Sequence, residues 1–122
     1  MTKTILAVDD SASMRQMVRL TLSSAGYQVI EAANGAEGLA KLQASGVQMV
    51  VTDLNMPVMD GLTFIREARK LPVGRGLPIV FLTTESDAGI KQQAKEAGAT
   101  GWIVKPFQQE QLVAVIRKVL GP

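Results

Sequence analysis

The chain contains neither cysteine nor histidine. Without cysteine there is no disulfide, no thiolate metal site and no thiol nucleophile. Without histidine no imidazole is available as general base, metal ligand or phosphoryl carrier. An excess of charge of one sign is missing too: 13 Lys and Arg stand against 11 Asp and Glu. The resulting net charge of +2 is too small to predict nucleic-acid binding. Long hydrophobic runs are also absent. The first apolar run, Ile5 to Val8, is stopped by Asp9-Asp10. It is too short for the apolar part of an export signal and far too short to span a bilayer. No later run reaches membrane-spanning length, so membrane insertion is not expected. With no export signal and no cysteine, a cytoplasmic protein is expected.

What is present suits a soluble globular protein: 122 residues, 47% hydrophobic and 20% charged. Disorder and fibrous repeats do not fit these values. A chain of this length buries roughly two thirds of its unfolded surface, and one domain over residues 1–122 is expected.

Five short apolar runs punctuate the chain: Ile5-Leu6-Ala7-Val8, Tyr27-Gln28-Val29-Ile30, Met49-Val50-Val51-Thr52, Ile79-Val80-Phe81-Leu82 and Trp102-Ile103-Val104. Four are nearly continuous in hydrophobicity, the pattern of strands covered on both faces. The second alternates, which predicts an edge strand. Between the runs the period becomes helical. Met14, Met17, Val18, Thr21, Leu22 and Ala25 share one helix face, as do Leu112, Val115, Ile116 and Val119. Ser11, Asn34 and Asp60 are good N-caps, and Glu37, three residues after Asn34, would complete a capping box. Gly26, Gly46 and Gly98 stand where a left-handed helix stop is wanted. The stretch from Leu71 to Pro78, with two prolines and two glycines, is expected to be a mobile loop. The pattern is βα repeated five times, an α/β fold with a doubly wound parallel sheet. Ligands then bind beyond the carboxyl ends of the strands.

Asp9-Asp10 follows the first run, Asp53 closes the third, Thr83-Thr84 follows the fourth and Lys105-Pro106 the fifth. If the strands are parallel and in register, these residues meet at one rim. Like charges about 4 Å apart repel by roughly 4 kcal/mol at an effective dielectric of 20. One lysine does not cancel three acids, so a divalent cation is implied. The candidate ligands are hard oxygens, which suit Mg²⁺. A carboxylate is ionised at neutral pH, so Asp53 can attack a phosphoryl group without a general base. Mg²⁺ and Lys105 would neutralise the transferring oxygens, and the Thr83 hydroxyl can donate to one of them.

The segments Val8-Asp9-Asp10-Ser11, Asp53-Leu54-Asn55-Met56-Pro57-Val58-Met59-Asp60-Gly61, Thr83-Thr84 and Lys105-Pro106-Phe107 resemble the receiver domain of two-component response regulators, and the likeness spans essentially the whole chain. The resemblance implies a five-stranded, flavodoxin-like (βα)5 fold with strand order 2-1-3-4-5. It implies that Asp53 is the phosphoacceptor for a sensor histidine kinase, with Lys105 and Thr83 binding the phosphoryl oxygens. Asp10, Asp53 and the Asn55 backbone carbonyl would ligate Mg²⁺, Asp9 helping through water, and the Lys105-Pro106 peptide would be cis. Thr83 and the aromatic position, here Trp102, would form the switch; the family often has Tyr or Phe there. Asn55 and Glu85 stand where the family tunes the lifetime of the acyl phosphate, in a combination similar to the chemotaxis type. The implied protein is a signalling switch and not a turnover enzyme. With no output domain following, it would act by binding a downstream target protein, as a monomer with dimerisation on activation left open.

Two rivals share parts of this pattern. A phosphatase of the haloacid-dehalogenase type needs a second Asp two residues after the nucleophile, where Asn55 stands. A flavodoxin-type electron carrier needs a hydroxyl- and glycine-rich phosphate loop after the first strand, where Asp9-Asp10 would repel the phosphate.

Overall fold

The computed structural model describes residues 2–121; Met1 and Pro122, the ends of the expected domain, lie outside the described residues. The elements run β1 (Thr4–Val8), α1 (Ala12–Ser24), β2 (Gln28–Ala32), α2 (Gly35–Ala44), β3 (Met49–Thr52), α3 (Gly61–Lys70), a 3₁₀ turn (Pro72–Gly74), β4 (Ile79–Thr83), α4 (Ala88–Ala97), β5 (Gly101–Val104) and α5 (Gln109–Leu120). The strands form one parallel sheet in the order β2-β1-β3-β4-β5. This is the expected flavodoxin-like arrangement, with the chain turning from one side of β1 to the other between β2 and β3. No described helix is long and apolar enough to cross a membrane.

The strand pleat explains why the apolar runs are continuous. Successive side chains point to opposite faces, and both faces are covered. Leu6, Val8, Val50, Ile79 and Phe81 pack with Leu42 of α2, Phe64, Ile65 and Ala68 of α3 and Ala94 of α4. Ile5, Ala7, Met49, Val51, Val80, Leu82 and Ile103 pack with Val18 and Leu22 of α1 and Leu112 and Ile116 of α5. Each fully buried side chain of this size stabilises the fold by about 1.5–3 kcal/mol.

The expected caps are in place at Ser11, Asn34 and Asp60, whose side chains accept from the N–H groups of Met14, Glu37 and Thr63. The capping box is only half formed, because the Glu37 carboxylate is drawn to Lys41 at 3.2 Å, one helical turn on. Gly26 and Gly98 adopt the left-handed conformation, with φ of 98° and 105°. Gly46 does not: α2 ends in the extended Ser45 at φ −127°, and no left-handed stop is needed.

Two further expectations are corrected. β2 and β5 lie at the two sheet edges, as the alternation of β2 and the order 2-1-3-4-5 imply, but the β5 run, expected to be covered on both faces, leaves Val104 exposed. The segment after α3 is not a free loop. Arg69 Nη1 donates to the carbonyls of Gly74 and Leu77, both at 2.6 Å, and Leu77 is buried. The turn lies so close to α3 that a Cβ on Gly74 would sit 1.8 Å from the Ala68 carbonyl oxygen. Glycine is required there for close approach.

Candidate functional site

Register brings the acids together. β1 and β3 are neighbours with Val8 opposite Thr52, so the next residue of each strand, Asp9 and Asp53, emerges at the same rim. The Asp53 N–H donates to the Val8 carbonyl at 2.9 Å and the Asp9 N–H to the Ala32 carbonyl at 3.1 Å, extending the ladder into the site. Asp9, Asp10 and Asp53 each offer one carboxylate oxygen within 4.8 Å of the others. Asp9 is buried and Asp10 exposed, so the cluster opens from core to solvent.

Lys105 follows β5 and spans to the acids. Its Nζ lies 2.9 Å from Asp9 Oδ2 and 3.3 Å from Asp53 Oδ2. The Lys105-Pro106 peptide is cis, as expected. Asp53 Oδ1 accepts the Leu54 N–H at 2.7 Å. Burial pushes the Asp53 carboxyl above the ordinary carboxylate range; the Lys105 ammonium opposes this, the Asp9 charge adds to it and the Leu54 N–H opposes it. Thr83 ends β4 fully buried, its Oγ1 accepting the Glu85 N–H at 3.2 Å. Trp102 is half-buried on β5, its ring 5.6 Å from that of Phe81 and its indole N–H donating to the Glu85 carbonyl at 3.0 Å. Asn55 is exposed, two residues beyond Asp53 in the β3–α3 loop.

The structure thus gathers Asp9, Asp10, Asp53 and Lys105 directly, and joins Thr83 to Trp102 through the backbone of Glu85. Two features of the site were missed in the sequence. Arg15, in the second turn of α1, donates from Nη1 to the Asp9 carbonyl at 2.6 Å. Gly61 lets α3 begin against Asp53: a Cβ there would lie 2.4 Å from the Asp53 carbonyl oxygen and 2.6 Å from Phe81 Cε1. An arginine six residues after Asp9 and a glycine after a cap carry no such meaning until the chain is folded.

The donor set suits a hard divalent cation: three carboxylates, one of them exposed, with, among the described residues, a single close ammonium. Chemically, the partly buried Asp53 carboxylate can act as a nucleophile beside a cation, the Lys105 ammonium.

Comparison with known proteins agrees with this geometry. The family model of the response regulator receiver domain matches residues 5–117. The chain is 39% identical over 119 residues to chemotaxis protein CheY1 of Helicobacter pylori, covering 96% of each protein. It resembles the solved structure of Vibrio cholerae chemotaxis protein CheY4 with a TM-score of 0.94 and 46% identity, over 98% of this chain and 99% of that one. A receiver domain of a Pseudomonas aeruginosa sensor histidine kinase, solved with a magnesium ion coordinated in its active-site cleft, matches with a TM-score of 0.91 and 27% identity over 100% of both chains. The chain belongs to the response regulator receiver domain family.

Proposed function

We propose that this protein is a phosphorylation-activated switch of a two-component system and that Asp53 is its phosphoacceptor. The observation that carries the reading is the Asp53 carboxylate at the rim, ringed by Asp9 and Asp10 oxygens within 4.8 Å and held 3.3 Å from Lys105. An Asp53 oxygen attacks the phosphorus of a phosphohistidine on a sensor kinase. The O–P bond forms as the P–N bond breaks, and the imidazole leaves with the bonding pair and takes a proton from solvent. Lys105 neutralises oxygens of the transferring group and the Thr83 hydroxyl donates to another. Mg²⁺ supplies further charge neutralisation when bound; Asp10, Asp53 and the Asn55 carbonyl would hold it directly and Asp9 through water. The magnesium-bound relative supports this cofactor.

Output follows from the connection of Thr83 to Trp102. Movement of the Thr83 hydroxyl toward the phosphoryl group removes the acceptor of the Glu85 N–H and releases Trp102. That changes the face offered to a downstream protein. Phosphorylation shifts the balance only by the free energy with which the phosphoryl group prefers the active form. The chemotaxis names of the relatives favour a chemotaxis or motility pathway. In this reading the protein acts in the cytoplasm as a monomeric signal carrier and not as a turnover enzyme.

The test is intact mass after incubation with acetyl phosphate, with and without Mg²⁺. The expected result is a Mg²⁺-dependent gain of one phosphoryl group, lost in Asp53→Asn. Lys105→Ala is expected to keep labelling but to uncouple it from partner binding. Persistent labelling of Asp53→Asn would remove Asp53 as the acceptor.

A further inference from the structure

We propose that Arg15 is a positioning residue for the cation site: it fixes the Asp9–Asp10 peptide so that two adjacent carboxylates face one ion. The proposal rests on the Mg²⁺ reading given above.

Neighbouring residues of an extended strand point to opposite faces, yet Asp9 and Asp10 both contribute an oxygen to the same cluster. The chain must therefore turn between them, and the orientation of the intervening peptide decides whether the second carboxylate converges. The structure holds every polar group of Asp9. Its N–H donates to Ala32, its Oδ1 accepts the Ser11 N–H at 2.9 Å and its Oδ2 accepts from Lys105. Its carbonyl, which is the oxygen of the Asp9–Asp10 peptide, accepts from Arg15 Nη1 at 2.6 Å.

Arg15 is itself anchored. Its Nε lies 3.3 Å from Glu31 Oε1 on the neighbouring edge strand, and its side chain is largely buried. The Glu31 backbone carbonyl is in turn tied to Lys41 of α2. The guanidinium thus spans from a carboxylate on β2 to a peptide oxygen at the end of β1 with two different nitrogens of one rigid plane, whereas an ammonium would have to reach both from a single nitrogen on a flexible stem. Glu31, which Arg15 shares with Arg19, offsets part of its charge, and the Arg15 Nη1 contact falls on a peptide oxygen, not on a carboxylate. Its effect on a cation in the cluster is then chiefly one of orientation. Arg19 reaches the other Glu31 oxygen at 3.2 Å from an exposed position and does not touch Asp9, which makes it a natural control.

The experiment is a MgCl₂ titration of the full chain followed by amide NMR shifts, with melting temperatures measured separately in the absence of Mg²⁺. Arg15→Ala is expected to raise the Mg²⁺ Kd about tenfold, the scale seen when a group orienting a metal ligand is removed. Arg15→Lys keeps the charge and the fold but is expected to raise the Kd as well, and Arg19→Ala to leave it unchanged. A merely structural role would lower the melting temperature and leave the Kd alone. An unchanged Kd in Arg15→Lys, or a lower one in Arg15→Ala, would overturn the proposal, the latter by showing that Arg15 acts only as a repelling charge. Failure of the wild type to bind would overturn the Mg²⁺ reading and this proposal with it.

Discussion

Trp102 donates its indole N–H to the carbonyl of Glu85 at 3.0 Å, and that residue's own N–H donates to Thr83 Oγ1 at 3.2 Å. A phenylalanine at position 102 keeps an aromatic ring beside Phe81 but has no donor. Trp102→Phe is therefore expected to leave acetyl phosphate labelling of Asp53 intact and to cost about 1 kcal/mol of stability. Intact mass and urea unfolding measure the two effects. Trp102 is the only tryptophan of the chain, so its fluorescence is expected to shift when the wild type is phosphorylated and to stay constant in Asp53→Asn.

Asp53 makes folding pH-dependent in a defined direction. Its folded-state pKa lies above the ordinary 3.8, chiefly through burial. Its ionisation therefore opposes folding: the cost is absent below 3.8 and fully present once the pH exceeds the raised value. Without divalent ions, Asp53→Asn is expected to be more stable than the wild type at pH 7, and the advantage to vanish as the pH falls toward 3.8. Mg²⁺ at a hundred times its Kd adds about 2.7 kcal/mol to the wild type, and less to the variant. Urea midpoints across pH, with and without MgCl₂, check both signs.

Gly61 is where α3 meets Asp53. A methyl group there would lie 2.4 Å from the Asp53 carbonyl oxygen, so backbone must move. Gly61→Ala is expected to destabilise the fold by about 1–3 kcal/mol and, by displacing Asp53, to slow labelling by acetyl phosphate. Loss of stability with an unchanged labelling rate would show that the backbone yields on the helix side only.

Arg69 ties three pieces of chain together. Besides the carbonyls of Gly74 and Leu77 it donates to that of Gly98, at the end of α4, at 2.6 Å. Arg69→Ala is expected to cost about 3 kcal/mol, since partly buried carbonyls lose a charged donor. Hydrogen exchange is expected to accelerate in residues 72–78 and at the end of α4 while the sheet stays protected.

Val58 is held in a strained conformation. Its φ is 70°, left-handed for a β-branched residue, and the Met59 N–H donates across it to the Pro57 carbonyl at 2.7 Å. The residue is 81% exposed. Val58→Asn is expected to stabilise the protein by about 1 kcal/mol, because asparagine tolerates this region. An unchanged or lower urea midpoint would show that the turn is not strained by valine.

Much of this was readable from local chemistry. The apolar runs and helical stripes gave five βα units because strand and helix periods differ, and caps at Ser11, Asn34 and Asp60 depend only on a side chain reaching three residues along. The acids, hydroxyl and lysine at strand ends are visible because parallel strands deliver their carboxyl ends to one edge. Gly46, Glu37 and the 71–78 segment read differently once folded: Ser45 is extended and needs no left-handed stop, Glu37 turns to Lys41 one helical turn on, and the 71–78 backbone is tied down by a guanidinium reaching from Arg69, a contact no turn rule contains.

By itself, then, the sequence determined the class of fold, the composition of the rim and the chemistry open to a site without histidine or cysteine. Only the tertiary structure decided the rest. It set the Val8–Thr52 register that brings Asp9 beside Asp53, placed Arg15 on the peptide between the two acids, and ran a hydrogen-bond path from Thr83 through Glu85 to Trp102. The Val8–Thr52 register and the Glu85–Trp102 link depend on distances between residues far apart in the chain, and such distances are fixed by packing on both faces of the sheet, not by any local preference.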